Sequence, residues 1–106
     1  MGSDLKYVYT FVRRDLPIQD QLVQACHSAM EAGSNFPTPG QISNLVLLDV
    51  KNKKELYSVS EYLSENGIDY YMFYEPDNGY DHTSITTEPL GVERKGLMSR
   101  FSLWRA

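Results

Sequence analysis

The sequence predicts one α/β domain over residues 1–106, a three-layer α/β/α sandwich with a small four-stranded mixed β-sheet. Segments of strand length alternate with segments whose apolar residues recur at helical spacing, in the order β-α-β-α-β-β-(α). A chain of 106 residues can bury one hydrophobic core but not two. Two crossover units predict parallel pairing, and a tight turn after the third strand lets the fourth enter antiparallel.

The first βα unit comprises residues 5–12 and residues 19–32. The first segment is β-branched and aromatic, which predicts a largely buried strand. Pro17 suits the start of the helix and Gly33 its end. The apolar residues at helical spacing, which we expect to face the sheet, are Leu22, Val23, Cys26, Ala29, Met30 and Gly33.

The second βα unit begins with residues 42–50. Their apolar run Leu45-Val46-Leu47-Leu48 predicts a central strand that is covered on both faces. Asn52 and Glu55 have the spacing of a capping box and open the second helix. The residues of this helix that we expect to face the sheet are Leu56, Val59 and Leu63.

Two further strands and a tail follow. Residues 68–74 are aromatic-rich and predict a third strand, which leads into the turn Glu75-Pro76-Asp77-Asn78-Gly79. Residues 83–87 predict a short fourth strand that Pro89 stops. The tail from Glu93 is weakly helical and then extended at Ser102-Leu103-Trp104.

The composition excludes several classes of protein. The single cysteine, Cys26, cannot form an internal disulfide, and no Cys/His cluster has zinc-site spacing. We therefore expect a cytoplasmic protein without metal or cofactor. Residues 1–4 lack the basic start of a signal peptide, and no apolar run approaches the roughly 20 residues of a membrane span, so no membrane association is expected.

The net charge of −4 argues against broad attraction to a phosphate backbone. A local basic patch stays open, because the sequence does not reveal whether its basic clusters converge in space. These clusters are Arg13-Arg14, Lys51 with Lys53-Lys54, and Arg94-Lys95 with Arg100.

Three motifs lie at or near the predicted strand ends. Arg13-Arg14-Asp15-Leu16 ends the first strand, and the first helix carries Val23-Gln24-Ala25-Cys26-His27-Ser28. Asp77-Asn78-Gly79 follows the third strand, with Thr83 nearby. Together they resemble the Arg-x-Asp-Leu, Ala-Gln-Cys-x-His-Ala and Asp-x-Gly-x-Thr motifs of the peptidyl-tRNA hydrolase 2 family, over nearly the whole chain.

The resemblance implies an esterase that releases peptides from the 3′ end of tRNA, and a homodimer, since family members commonly self-associate. The family joins its first strand and helix through Gly-Lys-Gly-Lys, whose lysines assist catalysis and hold RNA. This chain has Pro17-Ile18-Gln19-Asp20-Gln21 there. Tyr80 replaces the arginine of the family's Asp-Ala-Gly-Arg-Thr segment, and two additional residues, Asp81 and His82, precede Thr83.

Ester hydrolysis needs an oriented, partly deprotonated water and donors for the oxyanion that forms. Asp77 is the candidate for orienting water, and a simple turn-forming role suits it equally. Thr83 either holds water or substrate through its hydroxyl or is an ordinary strand residue. His27 is a general base by its chemistry, although we favour a histidine that packs beside the helix's apolar residues.

Other polar residues are candidates for binding substrate. Arg13 and Arg14 have the guanidinium geometry that grips phosphate, and Asp15 either joins them at the substrate or pairs with one of them. Gln24 is expected to position substrate. His82 is a second candidate base or a surface residue, and Cys26 is expected in the core. The aromatic residues that offer either stacking faces for bases or core packing are Tyr70, Tyr71, Phe73, Tyr74 and Tyr80.

Three functional hypotheses follow. The first is an esterase that acts on peptidyl-tRNA or a related ester, and the second is a family member without turnover that binds a tRNA end, a nucleotide or a protein. The third is a small regulatory α/β domain. Convergence of Arg13, Asp15, Asp77 and Thr83 in one pocket would separate the third hypothesis from the other two.

Overall fold

The computed structural model describes residues 5–106. Residues 1–4, where the sequence predicts no signal peptide, lie outside the described part. The helices are α1 (Ile18–Asn35) and α2 (Lys53–Glu65), and two 3₁₀ segments span Asp77–Gly79 and Val92–Met98. The strands are β1 (Lys6–Arg13), β2 (Asn44–Val50), β3 (Tyr70–Glu75), β4 (Asp81–Thr87), β5 (Leu90–Gly91) and β6 (Ser102–Leu103).

The strands form one mixed sheet in the order β3-β4-β1-β2-β6, and β5 pairs with β1. The mixed α/β class is confirmed, but the sheet has six strands instead of four, because the chain adds two strands of two residues each. β1 and β2 are parallel, and β4 is antiparallel to both of its neighbours, as predicted. Consequently β1, β2 and β3 all end at the edge where β4 begins.

The two helices contact different side chains of the central strands. Leu56 and Leu63 of α2 join a buried cluster with Phe11 and Ile85. Ser28 of α1 instead bonds to Thr86, the neighbour of Ile85. Because successive side chains of a strand point to opposite faces, the helices cover opposite faces of the sheet.

Helix α2 is capped as the sequence predicts. The Asn52 side chain accepts a hydrogen bond from the Glu55 backbone N–H at 3.0 Å. The Glu55 carboxylate reaches back to the N–H of Lys51, one residue before the cap, at 2.7 Å. Asn52 therefore satisfies an N–H that the helix leaves free, and Glu55 satisfies the N–H of the residue before the cap.

The predicted orientation of α1 is wrong. Leu22, Val23 and Met30 are 46%, 50% and 68% exposed, and Cys26, expected in the core, is also exposed. The residues of α1 that are buried are Gln21, Gln24, Ala25, Ser28 and Ala32. The helix also continues past Gly33 to Asn35. Its polar side faces the sheet because the strand beneath it, β4, presents hydroxyl groups.

The central position predicted for β2 is also wrong. The apolar β2 was expected to be central and covered on both faces, yet Leu45 is half exposed and only the short β6 lies beyond it. The polar β4 is central, and its residues Thr83–Thr87 are all buried. Hydrogen bonds on the α1 side and the packing of Ile85 in the apolar cluster on the α2 side therefore accommodate β4.

A chain of buried hydroxyl groups links β1, β4 and α1. The Thr86 hydroxyl lies 2.8 Å from that of Thr10 and 2.8 Å from that of Ser28. Ser28 also donates to the carbonyl of Ala25 at 3.2 Å, and Thr87 accepts from the backbone N–H of Tyr9 at 3.1 Å. Because each hydroxyl has a partner, burial of this polar strand carries no large desolvation penalty.

The C-terminal segment is anchored to the sheet. Ser102 and Leu103 pair with β2, which confirms the predicted extended segment except at Trp104. The Trp104 backbone N–H donates to the carbonyl of Leu47 at 2.9 Å, and its indole N–H donates to Gln21 at 2.7 Å. Within residues 5–106, no helix is long and apolar enough to cross a membrane.

We predict that Thr86→Val, which keeps the shape of the side chain, lowers the free energy of unfolding by about 1–3 kcal/mol. The substitution removes the shared partner of Thr10 and Ser28 while both stay buried. Urea denaturation followed by circular dichroism measures the change.

The matched control is the triple variant Thr10→Val, Ser28→Ala and Thr86→Val, which removes every hydroxyl of this chain of bonds. Its loss in free energy of unfolding should be smaller than the sum of the losses in the three single variants, because no buried hydroxyl is left without a partner. A single variant as stable as the unchanged protein would contradict the role given to these bonds.

Candidate functional site

The candidate site lies at the edge of the sheet where β1, β2 and β3 end. The Arg14 backbone N–H donates to the carbonyl of Val50 at 2.8 Å, so the ends of β1 and β2 are adjacent. The basic cluster Arg13-Arg14 therefore lies beside the one that begins at Lys51. In α/β proteins, ligands bind at this edge because side chains leave the sheet there and helix N-termini point to it.

Arg13 holds the start of β4 in place. Its Nε and Nη2 donate to the two carboxylate oxygens of Asp15 at 3.0 and 2.9 Å. Its Nη1 donates to the carbonyls of Tyr80 at 2.5 Å and His82 at 3.0 Å. These contacts use four of the five guanidinium N–H groups, and Arg13 is only 9% exposed. Pairing between Asp15 and one arginine, one of the two alternatives for Asp15, is confirmed.

The two carbonyls that Arg13 binds flank Asp81, which adopts the left-handed conformation with φ 66°. Asp tolerates this region better than most residues. Its carboxylate accepts the backbone N–H of His82 at 2.8 Å and approaches Lys53 Nζ at 3.3 Å. The His82 N–H and then the Lys53 ammonium hold the pKa of Asp81 below its ordinary value.

Gln24 connects α1 to both strands of the β3–β4 hairpin. Its side-chain N–H donates to Glu75 at 2.7 Å, and its side-chain oxygen accepts from the Thr83 hydroxyl at 2.6 Å. Its backbone carbonyl accepts from the Ser84 hydroxyl at 2.8 Å. Gln24 is buried, and bonds to Glu75 and Thr83 fix its side chain while the bond from Ser84 holds its backbone.

A β-bulge brings Thr83 into this network. Phe73 pairs with Ser84 while Tyr74 pairs with His82, which leaves Thr83 as the additional residue. Bulges change the direction in which neighbouring side chains point. As a result Thr83 and Ser84 both reach Gln24, whereas His82 reaches Tyr57 of α2 on the other face.

Asp77 is exposed at the start of the turn after β3. Its backbone N–H donates to Glu75 at 3.2 Å. This bond and the stronger one from Gln24 hold the pKa of Glu75 below its ordinary value. The next residue, Asn78, is left-handed with φ 59°. The position therefore suits a turn-forming residue whose carboxylate faces solvent beside the Gln24 network.

The two other basic or titratable candidates make structural contacts. Arg14 approaches Asp49 at 3.6 Å, donates to the carbonyl of Arg105 and lies 5.6 Å from the ring centre of Trp104. His27 stacks on Phe73 with ring centres 4.6 Å apart and an interplanar angle of 7°. The stacking agrees with the packing interpretation of His27.

The four residues named as the discriminating set lie at this edge in two hydrogen-bond networks. Asp15 belongs to the network of Arg13, and Thr83 and Asp77 join that of Gln24 and Glu75. Residues 80–83 connect the two networks, because Arg13 binds the carbonyls of Tyr80 and His82.

The aromatic candidates are divided between packing and exposure. Tyr80 donates to Asp20 at 2.5 Å, which raises the pKa of its hydroxyl. Tyr74 is half exposed, whereas Tyr70, Tyr71 and Phe73 are partly buried.

Sequence reasoning missed three polar residues of this edge, named Lys53 only within a basic cluster, and gave His82 only a secondary place. The missed residues are Tyr57, Glu75 and Asp81. The signal that could have pointed to Asp81 and His82 is their position as two extra residues before Thr83.

Comparisons with known proteins show the fold only. No protein-family model matches the sequence, and no curated protein matches it. Fourteen chains of solved structures are similar. One is a protein of unknown function from Agrobacterium tumefaciens strain C58, with a TM-score of 0.68 and 12% sequence identity. The similarity covers 94% of this chain and 98% of that one.

A metal centre is not evident at the edge. Among the residues that the structure describes, no group of three or more His, Cys, Asp or Glu side chains is arranged to hold a metal ion. The chemistry that the edge offers is that of carboxylates, an amide, hydroxyls and an imidazole.

We predict that Asp15→Asn lowers stability at neutral pH by less than about 1 kcal/mol, since the carboxylate is half exposed. Hydrogen bonds from Arg13 hold the pKa of Asp15 below its ordinary value. The stabilisation is thus present above the unfolded-state pKa of about 3.9 and is lost as the pH falls through the lower folded-state pKa.

The measurement is the free energy of unfolding of both proteins across the acidic range. Their difference should shrink as the pH falls below the unfolded-state pKa. Asp69→Asn removes the same charge from an exposed site and is the matched control. A difference that stays constant with pH would show that the Asp15–Arg13 pair does not couple to folding.

Proposed function

We propose that the chain is a divergent member of the peptidyl-tRNA hydrolase 2 family, a three-layer α/β/α protein that cleaves the ester between a peptide and the 3′ end of tRNA. The observation that carries this proposal is the Gln24 network. Gln24 bonds to Thr83 at 2.6 Å and to Glu75 at 2.7 Å, and Glu75 accepts the N–H of Asp77. Residues from two of the three motifs of the resemblance thus join one network, and Arg13 and Asp15 of the third lie at the same sheet edge in a second network.

In the proposed reaction, Asp77, Gln24 and Thr83 have different roles. The exposed Asp77 carboxylate accepts a hydrogen bond from the attacking water and orients it. Gln24 positions the substrate, and the buried Thr83 fixes the orientation of the Gln24 amide. His27, stacked on Phe73, supports the helix that carries Gln24 and has no role in proton transfer.

An RNA 3′ end would contact three basic side chains at this edge although the net charge is −4, and two of them, Arg14 and Lys53, also approach Asp49 and Asp81. Arg14, Lys51 and Lys53 lie where β1 and β2 end. Helices α1 and α2 also begin at this edge, and the free backbone N–H groups of a helix N-terminus can bind anions. The half-exposed ring of Tyr74 offers a face on which a terminal base stacks.

A second function, a binding module without turnover, is favoured by a different observation. The Thr83 hydroxyl is fully buried and donates to Gln24, so it does not face solvent water. In addition, residues 17–21 contain no lysine where the family has two. Such a module would hold a tRNA end, a nucleotide or a protein at the same edge.

We predict that the purified protein releases N-blocked amino acid or peptide from charged tRNA, and that Asp77→Ala lowers kcat/KM by about 10²-fold or more, the usual loss with a proton-transfer group. The readout is acid-soluble product over time.

Asp69→Ala is the matched control, because it removes an exposed carboxylate before β3, at the opposite end of that strand. It should retain the activity of the unchanged protein. Absence of turnover together with saturable binding of the tRNA 3′ end would support the binding module and reject the esterase.

The proposal includes self-association through the exposed apolar face of α1. Leu22, Val23 and Met30 are large, exposed and uncharged, and this composition is typical of the centre of a homodimer interface. Leu45 of β2 is exposed as well and shares a concave surface with Leu22. A second copy of the chain is therefore the partner that we propose.

We predict that the protein elutes as a dimer in size-exclusion chromatography with light scattering, and that Val23→Lys gives a folded monomer. A lysine at the centre of an apolar contact is costly to bury. Glu61→Lys, on the exposed side of α2, is the control and should leave the dimer intact. A monomeric unchanged protein would reject this interface.

A further inference from the structure

We propose that His82 is the general base of the esterase reaction and that Asp81 and Tyr57 orient its ring. The inference rests on the proposed function and adds to it the residue that takes the proton from the attacking water. His82 lies on the α2 side of the sheet edge and Gln24 and Asp77 on its α1 side, so this water would lie over the edge between them. His82 and Asp81 occupy the two extra positions between the Asp77 turn and Thr83.

The ring of His82 is fixed by one nitrogen only. Its Nδ1 lies 3.1 Å from Asp81 Oδ1 and 2.9 Å from the hydroxyl of Tyr57. Among residues 5–106, Nε2 has no hydrogen-bond partner, and the side chain is 31% exposed. The Tyr57 hydroxyl is the hydrogen-bond partner of Nδ1, and the Asp81 carboxylate lies beside it at ion-pair distance. When Nδ1 carries the proton the lone pair is on Nε2, which is the arrangement of a histidine base oriented by a carboxylate.

The carboxylate that orients His82 is itself held from several sides. It accepts the backbone N–H of His82 and approaches Lys53, and the Asp81 backbone is left-handed. Arg13 clamps the carbonyls on both sides of Asp81 at 2.5 and 3.0 Å. A base whose supporting groups are fixed in this way needs little reorganisation when the reaction begins.

Aromatic rings enclose the histidine on two sides. Tyr57 of α2 and Tyr74 of β3 meet the His82 ring edge to face, with ring centres 5.6 and 5.3 Å apart. The charged or titratable groups that face His82 are therefore Asp81 on its own strand, Tyr57 and Lys53 on α2, Tyr74 on β3 and Arg13 on β1.

His82 acts as a base when the water attacks and as an acid when the intermediate breaks down. Nε2 of His82 takes a proton from water while the water oxygen forms a bond to the ester carbonyl carbon. The tetrahedral intermediate then breaks its bond to the ribose oxygen, and that oxygen receives the proton from Nε2. The products are a free peptide carboxylic acid and a tRNA with a free 3′-terminal hydroxyl, and His82 returns to its neutral form.

The test compares the unchanged protein, His82→Gln and Asp81→Asn in the charged-tRNA assay. We expect His82→Gln to lower kcat by about 10²- to 10⁴-fold, the range for loss of a general base, and to abolish the limb of the pH–rate profile that follows histidine protonation. Asp81→Asn, which keeps a residue that tolerates left-handed backbone, should lower kcat less. Asp69→Asn is its matched control and should leave kcat unchanged.

A second measurement does not depend on turnover. Nitrogen-15 NMR of the unchanged protein reports which ring nitrogen of His82 carries the proton in its neutral form. Protonated Nδ1 with free Nε2 supports the proposal, and protonated Nε2 overturns it whether or not the variants fold.

The outcomes separate the two proposals. Turnover by the unchanged protein that survives in His82→Gln, with the same pH profile, overturns the role of His82 and leaves the esterase function standing. Absence of turnover by the unchanged protein overturns both.

Discussion

The fold depends on one constraint, that the polar interface between α1 and β4 must be completely hydrogen-bonded. A buried hydroxyl or amide without a hydrogen-bond partner lowers the free energy of unfolding by about 1–3 kcal/mol. This interface contains several buried hydroxyls and an amide, so their pairing is important. Thr86, Ser28 and Thr10 satisfy one another, and Gln24 satisfies Thr83 and Ser84. The position of the helix is thereby specified more narrowly than apolar packing alone would specify it. Within residues 5–106, the hydroxyls of Tyr9 and Ser43 are the buried side-chain groups without a partner, and both lie outside this interface.

The same constraint determines the two sides of the candidate site. On the α1 side, the Gln24 amide extends the polar interface to Glu75 and so to the Asp77 turn. On the α2 side, Arg13 binds the carbonyls that flank Asp81. The bulge at Thr83 allows this division, because it directs Thr83 towards Gln24 and His82 towards Tyr57. In a regular strand, Thr83 and Ser84 would point to opposite faces of the sheet. They could not both reach Gln24, and one of the two networks would be incomplete.

The sequence predicts the elements better than it predicts their environment. β1, the capped start of α2 and the parallel β1–β2 pair follow from local signals that the structure retains. The orientation of α1 does not follow, because periodicity identifies an apolar stripe but not the surface that it faces. Leu22 and Met30 are outside because Gln24 and Ser28 have partners on β4, and those partners are 58 to 59 residues away in the sequence. The Arg13–Asp15 pair could be anticipated from its spacing, whereas the contact of Arg13 with residues 80 and 82 could not.

The hydrogen bonds of Arg13 also limit its ability to bind an anionic group. With four of its five N–H groups bound, the guanidinium has little capacity left to bind a phosphate, despite its position at the sheet edge. The anionic substrate that we propose would then be attracted by groups with fewer bonds, namely Lys51, Lys53 and the helix N-termini. Lys53 already approaches Asp81, so an anion bound to Lys53 would weaken the ion pair that helps to hold Asp81 against His82. In the proposed reaction, substrate binding and the orientation of His82 would therefore be coupled through Lys53.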